Sequence, residues 1–119
     1  MLDKPGAALL IAEARAALEA GVAAGFPQKV IANALGIAQR ELEREPVLAQ
    51  EERARLTRLI GTDGEVTHLN AALARSIREG SVQIDDPALL DHLIRTTVGK
   101  LEVDQPAYPA FRAWRDSAP

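Results

Sequence analysis

Leu10, Ile11, Ala14, Ala17, Leu18, Gly21 and Val22 recur at the three- and four-residue spacing of one helix face. Pro5 suits a first helical turn, where its missing N–H costs nothing, and Gly25 is placed for a stop. The spacing predicts a helix over about residues 5–24. Val30, Ile31, Ala34, Leu35, Ala38 and Leu42 form a second face that starts at Pro27 and ends at Pro46. Leu48, Leu56, Leu59 and Ile60 mark a third helix, stopped by Gly61. Thr62-Asp63-Gly64-Glu65 reads as a capping box for a fourth, which carries Val66, Leu69, Leu73 and Ile77 up to Gly80. Asp85-Asp86 before Pro87 is an acidic cap on a prolyl first turn. It leads into a fifth helix with Leu90, Leu93, Ile94, Thr97, Val98 and Leu101, closed by Gln105-Pro106. Val82 and Ile84 alternate, but a strand there has no partner. The pattern predicts an all-α bundle of about five helices with short loops. Residues 1–104 form its single domain, and residues 105–119 form an aromatic-containing C-terminal tail.

Composition sharpens this picture. Of the 119 residues, 22 are alanine and 29 are leucine, isoleucine or valine, while aromatics make up only 3%. That balance favours helices over strands and argues against disorder. Three of the four aromatics, Tyr108, Phe111 and Trp114, sit in the last twelve residues. Their i, i+3, i+6 spacing lets one helical turn or a loose coil put them on one side. The tail either folds back on its own bundle or docks on a neighbour.

With no cysteine, the chain has no disulfide, thiolate metal site or cysteine nucleophile. No apolar stretch approaches the ~20 residues of a bilayer span. Met1 to Gly6 place no basic region ahead of the apolar run, so no signal peptide is expected, and a cytoplasmic protein is. The net charge is −3. From Gln39 to Arg58, five arginines and five glutamates interleave, the pattern of a solvated surface laced with ion pairs. No basic stripe stands out for nucleic acid.

Ile31 to Arg40 resembles a helix-turn-helix, with Leu35-Gly36-Ile37 as the turn. Glu41, Glu43 and Glu45 on the recognition segment disfavour a phosphate backbone, and an uninterrupted helix through Gly36 costs only about 1 kcal/mol. Glu65 and His68 have the spacing of a di-iron ligand pair, but His92 has Leu89 where a second copy needs a glutamate. A surface or partly buried histidine is the simpler reading. Asn33 and Asn70 flank apolar stripes, and each satisfies a loop or helix end or makes a polar contact in a helix seam. Ser76, Ser81 and Ser117 lack a neighbouring base motif. No catalytic residue, metal ligand or cofactor is therefore assigned.

Several stretches together resemble a known family. They are Asp3-x-Pro5, Val30-Ile31-Ala32-Asn33-Ala34-Leu35-Gly36-Ile37 with Arg40-Glu41-Leu42, Leu69-Asn70-Ala71-Ala72-Leu73, Ile77-Arg78-x-Gly80, Asp85-Asp86-Pro87-x-Leu89-Leu90-x-His92-Leu93, and Lys100-Leu101-x-Val103-Asp104-Gln105-Pro106-x-Tyr108. The family is an uncharacterised bacterial one of short all-helical proteins, a domain of unknown function. Its genes typically lie beside acyl-CoA dehydrogenases and aminoglycoside-phosphotransferase-like kinases. The segment between the first two helices is shorter here than in the family, and the tail after Tyr108 has no counterpart. The resemblance implies an accessory role near acyl-CoA breakdown or a kinase-like step and supplies no catalytic residues.

The leading expectation is a non-enzymatic interaction protein, a homodimer or one docked on a kinase-like or acyl-CoA dehydrogenase partner. The alternative is a binder of an acyl-CoA-type ligand, with Lys29, Arg40 and Lys100 meeting phosphates. Asn33, Asn70, Tyr108 and Trp114 complete the candidate binding residues. A DNA reader comes last.

Overall fold

A computed structural model describes residues 5–117. The N-terminal calls, including Asp3 of the family-like stretch, and the last two residues of the tail lie outside it. All regular structure among the described residues is helical: α1 (Ala7–Ala20), α2 (Phe26–Ile60), α3 (Val66–Glu79), α4 (Pro87–Asp104) and α5 (Pro109–Ser117). None of these helices is long and apolar enough to cross a membrane.

The elements differ from expectation in three places. α1 stops at Ala20, because Gly21 takes φ 94°, a conformation that costs a glycine little, and its N–H bonds to the Leu18 carbonyl. α2 runs for 35 residues through Pro46, so the second and third expected helices are one. A proline inside a helix removes one backbone hydrogen bond. Here Pro46 is exposed, and so is Leu42, whose carbonyl loses its donor to it. Buried residues on both sides, Ala38 and Glu41 before, Leu48, Glu52 and Leu56 after, hold the helix across the break. Finally, residues 109–117 of the tail are helical. Val82 and Ile84 lie in the irregular link before α4.

The chain divides into two units, and the boundaries fall inside α2 and α4. One unit takes the residues up to Glu45 and those from Lys100 on; the other is Pro46–Gly99. In the second unit, Leu56, Leu69, Leu73 and Leu89 form the core, with Leu59, Ile60, Val66, Ile77 and Val82 against it. Gly99 is buried there, and a Cβ at that position would lie 3.2 Å from Leu48 Cδ2, so the glycine allows the two backbones to approach. The first unit buries mainly small side chains, Ala7, Ala14 and Ala38, with Val103 and Phe111. All four aromatics belong to the first unit.

The connections rest on side chains more than on the expected box. The N-cap of α3 is Glu65, and its side chain makes no capping bond. Asp63 organises the loop instead: it accepts the Gly64 N–H at 2.8 Å, the Thr57 hydroxyl at 3.4 Å, and Arg53 Nε and Nη2 at 2.9 and 3.0 Å. These bonds hold its carboxyl below the ordinary aspartate pKa. The Arg53–Asp63 pairing is bidentate and charge-assisted, the strong form of a side-chain hydrogen bond. Before α4, Asp86 accepts the Ala88 N–H at 2.9 Å, a cap one residue before the prolyl first turn.

Candidate functional site

Successive core-facing turns of α2 in the second unit carry Leu48, Glu52 and Leu56. On α4 they carry Leu89, His92, the half-buried Thr96 and Gly99. A carboxylate and an imidazole thus occupy places where the helical period calls for apolar side chains. Glu52 is 6% exposed and His92 2%. Removed from water, such groups need partners.

Their hydrogen bonds join three helices. Asn70 on α3 donates from Nδ2 to Glu52 Oε1 at 3.3 Å. Arg55, one turn along α2 from Glu52, donates from Nε to His92 Nδ1 at 3.1 Å and from Nη2 to Thr96 Oγ1 at 3.2 Å. An accepting Nδ1 leaves the ring proton on Nε2. Burial, and then the Arg55 charge, hold the His92 pKa below the ordinary histidine value, against the opposing pull of Glu52 and Asp91. Burial also lowers the Arg55 pKa, partly offset by Glu52 and Glu51.

This cluster is built to hold three helices in register. The His92 lone pair is occupied by an Arg55 N–H, and the Thr96 hydroxyl accepts from the same guanidinium. Proton transfer at Nδ1 requires that fork to open first.

A second polar group sits in the first unit. Arg40 Nε donates to the Val103 carbonyl at 2.8 Å, so a cation closes the C-terminal end of α4. Gly36 leaves room for it: a Cβ there would lie 3.1 Å from Arg40 Nη1. Arg44 reaches Glu102 at 3.4 Å. Glu41, 6% exposed, has an Oε2 with no hydrogen-bond partner. At the tail, Phe111 is buried beneath the Arg115 guanidinium, 5.7 Å from the ring centroid.

The sequence-derived candidates are dispersed. Lys29 and Asn33 are exposed on α2, and Tyr108 and Trp114 are exposed about α5. Arg40 is committed to the Val103 carbonyl, and Lys100 is half-buried at the unit's first position on α4. Asn70, alone in the other unit, makes the seam contact with Glu52. Glu65 and His68 are both exposed. Among the described residues, no three His, Asp or Glu side chains gather as a metal site. Because α2 is unbroken through Gly36, the helix-turn-helix turn is absent.

His68, of the di-iron-like pair, is exposed, in line with its reading as a surface or partly buried histidine, while His92 is a core residue. One expectation needs correction. The arginines and glutamates of α2 are not all a solvated face: Glu41 and Glu52 are buried, and Arg40, Arg44, Arg53 and Arg55 each reach beyond α2. The available signal was positional. Glu52 stands midway between Leu48 and Leu56, four residues from each, and His92 stands three after Leu89.

No curated protein and no solved structure matches the chain. A family model described as a domain of unknown function (DUF6285) matches residues 10–108, and the chain belongs to that family.

Proposed function

We propose that this protein is a non-enzymatic interaction module whose helical surface binds another protein chain. The supporting observation is an inverted balance of large apolar side chains. Among the described residues, fourteen are exposed, from Leu9 to Trp114, whereas the buried ones are Leu48, Leu56, Leu69, Leu73, Leu89, Val103 and Phe111. Scattered exposed leucines are ordinary, but contiguous apolar faces on a small domain mark contact surfaces. Phe26 is 78% exposed, and Tyr108 and Trp114 keep about half their surface open on either side of buried Phe111.

The family resemblance suggests which partners to try: acyl-CoA dehydrogenases and aminoglycoside-phosphotransferase-like kinases, in the cytoplasm of a bacterium. The test is to mix the purified chain with each purified candidate and follow complex mass by sedimentation. A stable complex, weakened by Trp114→Ala or Phe26→Ala, supports the role. If the chain associates with neither candidate nor with itself up to several hundred micromolar, the role is wrong.

A further inference from the structure

The Arg55 guanidinium spends its fork on two neutral acceptors of α4. Nε donates to His92 Nδ1 at 3.1 Å and Nη2 to Thr96 Oγ1 at 3.2 Å. Yet Glu52, Glu51 and Asp91 all lie near enough to attract it. Asp91 is already paired with Arg95 at 3.0 Å, and Arg95 repels Arg55. Glu51 is exposed and stands one turn back on α2, the order in which a glutamate and an arginine pair well along a helix. A second home for the guanidinium therefore lies at the rim of the seam.

His92 decides between the two. Its Nε2 carries the ring proton, so a further proton enters at Nδ1. That proton removes the acceptor and sets two cations at hydrogen-bond distance, which they cannot keep. His92 is 2% exposed, on a short and stiff side chain. Arg55 is only half-buried, on a long stem that reaches water. The guanidinium is the group that leaves.

We propose that the His92–Arg55 contact is a proton-operated switch between α2 and α4: a proton on His92 Nδ1 expels Arg55 to Glu51, and Thr96 Oγ1, freed of the guanidinium, accepts the new Nδ1–H. The proton comes from solvent, and only an N–H bond forms. Before the change, two hydrogen bonds tie α2 to α4 here. After it, both are gone, and the histidine–threonine contact lies within α4. The charged groups facing His92 are Arg55 and Glu52 on α2 and Asp91 on its own helix, while α3 presents the Asn70 amide, which Glu52 binds. Glu52 and Asp91 favour the proton, but burial and Arg55 outweigh them, so the switch turns below the ordinary histidine value of 6.5. It needs no partner chain.

Nitrogen-15 NMR of the full chain reads both groups. His68→Gln, at an exposed position, leaves His92 as the only imidazole. At pH 7.5 the ring is expected as the Nε2–H tautomer, with a protected Arg55 Nε–H. On acidification Nδ1 should gain its proton. At the same midpoint, Arg55 Nε–H exchange, corrected for its intrinsic pH dependence, should rise about tenfold or more. Its Overhauser contacts should pass from the His92 ring to Glu51, with an unchanged far-ultraviolet spectrum. His92→Asn, which keeps an acceptor near the place of Nδ1 but cannot titrate, should hold the protection at every pH. Should that variant not fold, the ring and guanidinium signals decide alone. An Nδ1–H tautomer at pH 7.5, an Arg55 Nε–H unprotected there, or one whose protection persists while His92 titrates would overturn the switch. So would loss of helix over the same range, because the seam would then open only by unfolding. Contacts to Asp91 in place of Glu51 would overturn the destination.

Discussion

His92 is the residue whose charge state matters most. Its native pKa lies below the ordinary 6.5, chiefly through burial and then through Arg55. The unfolded chain therefore takes up this proton at a higher pH than the folded one. The stabilisation is complete above the unfolded value and is lost as pH falls through about 6.5 toward the lowered native value. Protonation would also place a cation against Arg55 Nε, now 3.1 Å away. Urea midpoints should fall between pH 7.5 and 5.5, and His92→Gln should flatten that slope. An equally steep slope in the variant would rule out His92 as the cause. Core volume is the other residue-scale lever. Leu56 is fully buried among Leu69, Leu73 and Leu89, so Leu56→Ala should cost about 2–5 kcal/mol by urea denaturation. The sequence pattern showed Leu56 plainly but hid Glu52 and His92. A periodicity count assigns charged and imidazole side chains to water, and only the geometry of Asn70 and Arg55 makes their burial tolerable.

Two helices carry the local conflicts. Pro46 interrupts the hydrogen-bond ladder of α2 without ending the helix. Its replacement by alanine restores a donor for the Leu42 carbonyl. Against a small loss of chain stiffness in the unfolded state, Pro46→Ala should stabilise by about 2 kcal/mol. A lower urea midpoint would mean that the proline is required where it stands. In α4, Gly99 lies under Leu48, and a branched side chain there has no room. Gly99→Val should destabilise by about 1–3 kcal/mol, with part of the loss recovered when combined with Leu48→Ala. Helix type and most turns could be read from the sequence, because leucine spacing, Gly80 and the Asp86-Pro87 cap are local signals. The passage through Pro46 could not, since packing on both sides of it decides whether the helix continues.

At the scale of the molecule, an alanine-rich composition explains both the fold and its open surface. Small side chains fill the first unit, and few bulky ones are buried there. Large aliphatics thus remain available on α1, α2 and α4, where contact with another chain can cover them. The all-α class and family membership follow from the whole pattern of the chain. The cluster joining Glu52, Arg55, Asn70, His92 and Thr96 draws on three helices and has no contiguous motif.

The confinement of all four aromatics to one unit has an optical consequence. Pro46–Gly99 contains no tryptophan, tyrosine or phenylalanine. Emission from Trp114 therefore reports directly on the first unit, while melting of the unit that holds His92 produces no intrinsic fluorophore signal of its own. Far-ultraviolet dichroism sees the helices of both. The two melting curves will superimpose only if the units unfold in a single step, and any gap between them would measure how far one unit outlasts the other.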